Sequence, residues 1–170
     1  MDKIFFRAIN QFTGRYELLD KIMIMISKKM RYVFIFLFIL MMIRRHRYYR
    51  HMIKPTIFSI IVTLFVEFVI KKFYFKPRPF LMKRVHVLPP KPSRSNSSFP
   101  SKHTTLAFVA ATSMMVFNPL LGSILYIFAG LTGFSRIWMG QHYPSDIIGS
   151  ALLGSLISVV IRRISRTNYE

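Results

Sequence analysis

The sequence predicts an all-α integral membrane protein: a bundle of about five to six transmembrane helices with an interfacial N-terminal helix. Three observations predict it. Apolar residues make up 52% of the 170-residue chain, and mean hydropathy is +0.37. The formal charge is nonetheless +19. The cations fall in clusters between long apolar runs, as in a multi-spanning protein whose charges sit at the water interfaces. A nucleic-acid binder carries its positive charge on a soluble domain, so no nucleic-acid partner is expected. The length suits a single membrane-embedded domain, residues 1–170.

Along the chain, Ile4, Phe5, Ala8, Ile9 and Phe12 recur at helical spacing, with Lys3, Arg7 and Asn10 between them. That pattern predicts an amphipathic helix lying in the interface. Arg7 interrupts its apolar run and no small-x-small site follows, so it is not read as a cleaved signal peptide. Thr13-Gly14 breaks the helix. A short helix follows from about Glu17 to Ile26, a poor span because of Asp20 and Lys21. Asp20 reads as a helix-start carboxylate favoured by the dipole, with burial against the bundle as the other option. A crossing by residues 4–26 would make six spans.

The first good span is about Tyr32–Ile43, short against the ~20 residues a bilayer needs. Snorkelling by Lys28, Lys29 and Arg31 extends it. The run Arg44–His51 with Lys54 reads as a positive-inside signal. The second span, about Pro55–Ile70, contains Glu67, four residues before Lys71. The pair fits an ion pair that orients the lysine, and a carboxylate within a span is a functional candidate. Residues 71–103 are rich in proline and serine and read as a long loop. The remaining spans are about Thr104–Phe117, Leu120–Ile137 and Ile147–Ile161, the last two with small residues that let helices approach. Arg162, Arg163 and Arg166 close the chain. With both end clusters in the cytoplasm, Lys71, Arg78, Ser101, His103, Arg136, His142 and Asp146 all fall at the outer membrane face.

The stretch Ser135–Asp146 puts an arginine, a histidine and an aspartate inside apolar sequence. His142 and Asp146 are four apart and can share a face. A carboxylate on one imidazole nitrogen leaves the other free to attack, and Arg136 offers a guanidinium to phosphate. The chain has no cysteine, which excludes thiolate chemistry. Its six acidic residues form no sequence cluster resembling a two-metal site. No metal or cofactor is expected, and cationic side chains are left to meet phosphoryl charge. His46, His51, His86, Trp138 and Tyr143 read as interface anchors, and Ser135 as a helix-packing residue.

The spacings Lys71-x6-Arg78-Pro79, Pro100-Ser101-Lys102-His103 and Ser135-Arg136-x5-His142-x3-Asp146 resemble the three-part signature of the type 2 phosphatidic acid phosphatase superfamily. The signature region is 71–146. The wording around it, such as Pro77-Arg78-Pro79-Phe80 and Gly133-Phe134-Ser135-Arg136-Ile137-Trp138, is similar to the BcrC-type undecaprenyl-diphosphate phosphatases. The resemblance implies His142 as nucleophile, Asp146 bonded to its other nitrogen, and His103 as general acid. It implies Lys71, Arg78, Ser101 and Arg136 as phosphate ligands. Lys102 stands where the signature has glycine. It reads either as an added cation for a distal phosphate or as a solvated side chain, and it questions the backbone before His103. Glu67 is a possible accessory to Lys71.

What the resemblance implies for function is hydrolysis of undecaprenyl diphosphate to the monophosphate, with the tail among membrane lipids. Recycling of the cell-wall carrier and bacitracin resistance would follow. The same chemistry on phosphatidylglycerol phosphate, phosphatidic acid or diacylglycerol diphosphate is an alternative. A non-catalytic lipid-binding or permease role is another.

Overall fold

The computed structural model describes residues 2–43, 47–82, 85–89 and 97–167. The cations at 44–46 and the proline–serine stretch at 90–96 lie outside them. Six α-helices follow in order: α1 (Asp2–Asn10), α2 (Glu17–Ile43), α3 (Arg47–Phe73), α4 (Lys102–Phe117), α5 (Pro119–Trp138) and α6 (Pro144–Thr167). Among the described residues, one 3-10 turn, Pro79–Leu81, interrupts the long connection between α3 and α4. Among the described residues there is no strand.

Helix α4 is the centre of the bundle and packs against α3, α5 and α6. Its buried positions are small or hydroxylated: Thr104, Thr105, Ala107, Val109, Ala111, Thr112, Ser113 and Met114. Small side chains let three neighbours approach one helix, and the hydroxyls find partners across the gaps. Thr112 meets the Tyr126 hydroxyl at 2.7 Å, and Ser113 meets Ser158 at 3.0 Å. Ala107, Ala111 and Met114 join Leu125 and Ala129 in the core, against Phe34 and Leu37 of α2. Asn118 ends α4 and caps α5, its side chain accepting from the Leu121 N–H at 3.0 Å, with Pro119 at the first helical position.

Among the described residues, three helices are long and apolar enough to cross a membrane: Ile53–Phe73 of α3, Pro119–Trp138 of α5 and Pro144–Ser165 of α6. They expose large apolar side chains such as Phe58, Phe65, Ile127, Leu152 and Leu156, as lipid-facing surfaces do. Helix α4 has only 16 residues.

Two expectations are corrected here. No break separates a short helix at 17–26 from a span at 32–43. Helix α2 runs unbroken for 27 residues, about 40 Å at the α-helical rise. Neither glycine nor proline interrupts it, so a change in hydropathy was not a change in conformation. At nine residues, α1 cannot cross a bilayer. It lies against α5 and α6. Phe6 is fully buried beside Ile137, Tyr143 and Ile147, while Ile4 and Phe5 face outward.

The α4–α5 contact is closest at Gly122, where an added Cβ would collide with the Met115 backbone; at Gly130 it would meet nothing within 4 Å. Gly122→Ala is expected to destabilise by about 1–3 kcal/mol, read as a lowered Tm in detergent. Gly130→Ala is expected to leave Tm unchanged or slightly raised.

Candidate active site

The C-terminal ends of α3 and α5 and the N-terminal ends of α4 and α6 meet at one end of the bundle. They deliver Lys71, Arg136, His103 and Asp146 there, and the connection after α3 adds Arg78. Mutual charge effects show the convergence: Arg136, Arg78 and Lys71 all act on His142, and Arg136, Arg31, Lys102 and Lys71 act on His103.

The spacing between Arg136 and His142 has a backbone cause. After Trp138 the chain turns tightly, and the Arg136 carbonyl accepts from the N–H groups of Gln141 at 3.0 Å and His142 at 3.3 Å. Gly140 sits in the turn at φ +73°, where a Cβ would also strike the His86 carbonyl at 2.5 Å. The turn presents guanidinium and imidazole together.

His142 is buried, and both of its ring nitrogens are engaged. Nδ1 lies 2.7 Å from the Ser98 carbonyl oxygen, which can only accept, so Nδ1 carries the proton. Nε2 then holds a lone pair, and Arg78 Nη1 donates to it at 3.2 Å. The same Nη1 reaches the Gln141 carbonyl at 3.3 Å. Burial, then the charges of Arg136 and Arg78, push the imidazole well below its ordinary proton affinity, and the Ser98 bond offsets this only in part.

Asp146 is placed differently from expectation. Its Oδ2 lies 3.9 Å from His142 Nδ1, beyond hydrogen-bond distance. That oxygen instead accepts from the Ser98 hydroxyl at 2.5 Å and the Tyr143 N–H at 2.9 Å, while Oδ1 accepts from Lys76 at 2.6 Å. Helix α6 begins only at Pro144. His142 therefore precedes it, and the spacing of four does not stack the two side chains on a helical face. Ser98, to which the sequence motifs assign no role, stands between them: its hydroxyl meets the carboxylate and its carbonyl meets the ring. The motifs assign none to Lys76 either. A histidine bonded to a backbone carbonyl leaves no residue-type signal, and Lys76 lies between the two cations of the first motif.

Ser101 is turned inward. Its hydroxyl pairs with Thr104 Oγ1 at 3.0 Å, and its N–H donates to Ser150 Oγ at 2.7 Å. It is the N-cap residue of α4 but makes no side-chain capping bond. Lys102 is the first helical residue of α4 and is exposed. Ordinary helical backbone suffices there, so glycine is not required. Glu67 is buried, and the charges of Lys71 and Lys102 act on it. Arg136 Nη1 donates to Ser27 of α2 at 2.7 Å, while its Nε is buried without a hydrogen-bond partner.

The expected interface anchors divide. His86 is exposed. Trp138 and Tyr143 are buried, at 7% and 5% exposure. Trp138 Nε1 donates to Asp20 at 2.8 Å, and Asp20 also accepts from the Gly14 N–H at 2.9 Å. Asp20 is thus an internal acceptor, because a buried indole N–H needs a partner. Ser135 is fully buried and donates to the Thr132 carbonyl within its own helix.

A helical membrane bundle whose polar end surrounds a buried neutral imidazole with cations belongs to the class of sites that handle phosphorylated lipids. The chain belongs to the PAP2 superfamily, whose sequence profile matches residues 53–170. It is 34% identical over 160 residues to the undecaprenyl-diphosphatase BcrC of Bacillus subtilis, covering 94% of this chain and 82% of that one. The solved structure of LpxE from Aquifex aeolicus superimposes with a TM-score of 0.81 at 30% identity, covering 95% of this chain and 94% of the other. The fold is shared with a PAP2-type phosphatidylglycerolphosphate phosphatase of Bacillus subtilis, at a TM-score of 0.69 and 21% identity over 97% and 86% of the two chains.

The unfolded chain protonates His142 near pH 6.5, whereas the folded chain holds it neutral to well below that. The neutral ring's contribution to stability is therefore full above about pH 6.5 and is lost as pH falls below it. Wild-type Tm is expected to drop between pH 7 and pH 5, and His142→Gln to show a shallower drop, measured by thermal scans in detergent.

Proposed function

We propose that the protein hydrolyses undecaprenyl diphosphate to undecaprenyl phosphate and inorganic phosphate. The reading rests on one observation above all: the His142 Nε2 lone pair, 3.2 Å from Arg78, points into the cations of an otherwise buried site. Membership of the PAP2 superfamily and the BcrC relative support it.

In this reading the terminal phosphoryl group displaces Arg78 from Nε2 and is bound by Arg78, Arg136 and Lys71. The unpartnered Arg136 Nε is one ready donor. The first turn of α4 is another source of donors, because its N-terminus carries no side-chain cap. Nε2 attacks phosphorus, the bridging P–O bond breaks, and His103 gives its proton to the departing undecaprenyl phosphate. Water then attacks the phosphohistidine, His103 takes up the proton, and phosphate leaves. Nδ1 keeps its proton and its hydrogen bond to the Ser98 carbonyl throughout. Asp146, 3.9 Å away, stabilises the charge that the ring acquires. Ser101 acts by shaping the start of α4. Lys102 and Glu67 are accessory, and the whole chain works as one phosphatase domain. No step calls on a metal, because the cations spread around the three equatorial oxygens do that electrostatic work.

The proposed setting is the plasma membrane, crossed several times, with the site on the outer face. The cation of Arg162 lies 4.3 Å over the Phe117 ring, so the basic end of α6 sits beside the C-terminal end of α4, away from His103. The positive-inside rule then puts the site outside, and bacitracin resistance follows from consuming the diphosphate that the antibiotic sequesters. A cysteine introduced at Ser95 is expected to react with an impermeant maleimide on intact cells; reaction only after permeabilisation would invert the topology.

Phosphate release from undecaprenyl diphosphate in detergent with chelator present tests the activity. The wild type is expected to turn over, His142→Ala to be inactive, and His103→Ala to fall ~10²–10⁴-fold. Faster release from phosphatidylglycerol phosphate, phosphatidic acid or diacylglycerol diphosphate would reassign the substrate. Bacitracin protection retained by His142→Ala would favour a binding role.

A further inference from the structure

The strongest feature that the phosphatase signature leaves out is Lys76. Its ammonium donates to Asp146 Oδ1 at 2.6 Å, to Ser145 Oγ at 2.8 Å and to Asp2 Oδ2 at 3.3 Å, and it lies 4.9 Å from the centre of the Tyr143 ring. Its backbone is tied to the other side of the site. The Lys76 N–H donates to Ser97 Oγ at 3.1 Å, and the Lys76 carbonyl accepts from the Ser98 N–H at 2.8 Å. Lys76 thus reaches Ser98 by two routes, directly through the backbone and through Asp146. Ser98 then holds His142 Nδ1.

We propose that Lys76 is a positioning residue for the nucleophile, closing a ring of Lys76, Asp146 and Ser98 that fixes the imidazole through the Ser98 carbonyl. This rests on His142 being the nucleophile, as proposed above. The charged neighbours of Asp146 make the need clear. Asp146 is fully buried. Lys76 neutralises it from the α1 side, while Arg78 and His142 lie on the substrate side. Without the ammonium, Oδ2 keeps the Ser98 hydroxyl and the Tyr143 N–H, but Oδ1 loses its lysine and the unbalanced carboxylate charge draws on His142 Nδ1 and Arg78. Turning to either would pull the ring from Ser98 or the guanidinium from phosphate. Burial works against the Lys76 charge, but the bonds and charges of Asp146 and Asp2 outweigh it and raise the ammonium's proton affinity. The Lys76 ammonium therefore stays charged at neutral pH. Misplacing a reacting atom by about 1 Å can cost ~10²-fold in rate.

The test uses the full chain in detergent with Lys76→Met, which keeps length and removes charge, and Lys76→Arg, which keeps charge. Two readouts are taken: kcat and KM on undecaprenyl diphosphate, and binding of orthovanadate by calorimetry. Vanadate mimics the five-coordinate transition state and needs no lipid. Lys76→Met is expected to lower kcat ~10²-fold, change KM less than about threefold and weaken vanadate about tenfold or more. Lys76→Arg is expected to recover most of both. Unchanged kcat and vanadate affinity in Lys76→Met would overturn the proposal. So would a loss carried by KM alone, or equal losses in both variants. If Lys76→Met does not fold, Ser98→Ala opens the ring from its other side without touching a charge: lowered kcat with retained KM supports the proposal, and wild-type kinetics overturn it. A wild type that binds vanadate but cleaves no lipid diphosphate would fail the substrate reading alone, with the vanadate comparison still deciding the role of Lys76.

Discussion

The structure depends on concentrating positive charge in one partly buried place. Arg136 is held by the Ser27 hydroxyl, and Arg78 by the Gln141 carbonyl and the lone pair of His142. These acceptors orient the guanidinium groups. The carboxylate beside His142, Asp146, has its Oδ1 occupied by Lys76. Like charges crowded at low dielectric repel one another strongly, and the fold must supply the energy that holds them. On the proposed function, a doubly charged phosphate would relieve that repulsion on entry, so that strain in the empty site becomes affinity for substrate.

The fold supplies that energy through a tightly packed centre. Helix α4 brings its uncapped N-terminus to the site because its small side chains admit α3, α5 and α6 around it. Gly122 and Gly154 carry these approaches to backbone contact, against Met115 and Thr105 respectively. Helix α1 seals the other side, with Phe6 inserted edge-on to Tyr143 and Asp2 accepting from the Ser145 N–H at the start of α6. Asp2 and Asp146 thus both lie at the α6 N-terminus, and α4 is the helix whose positive end is left to an anion.

Much of the fold and site was legible in the sequence, for identifiable reasons. Apolar runs and the charge clusters between them located α4 and α5 closely and the apolar parts of α3 and α6, because lipid demands uniform helix, whereas the basic ends from Arg47 and to Thr167 run beyond the expected spans. The three motifs named residues that the fold does gather. What escaped were contacts with no residue-type signature. The His142 partner is a backbone carbonyl, and Asp146 acts through Ser98 because Pro144 starts its helix after His142. Helix α2 was divided by hydropathy although it contains no breaker. Its charged half is ordered by pairs that only folding creates, Asp20 with Trp138 and Ser27 with Arg136.

One side chain has a wider reach than its position suggests. The Asn10 carboxamide accepts from the His86 N–H at 2.9 Å and donates to the His86 carbonyl at 2.8 Å, pairing with that residue as a strand neighbour would. Residues 74–101 would otherwise form one long excursion between α3 and α4. Pinned at His86, and zipped at Lys76 to Ser98, they become two shorter arcs with fixed ends. The entropy of closing a loop is met when the arcs are anchored, before any ligand arrives. Arg78 near one end and His103 beyond the other are thus held close to anchors, at Lys76, His86 and Ser98, that need no ligand to form.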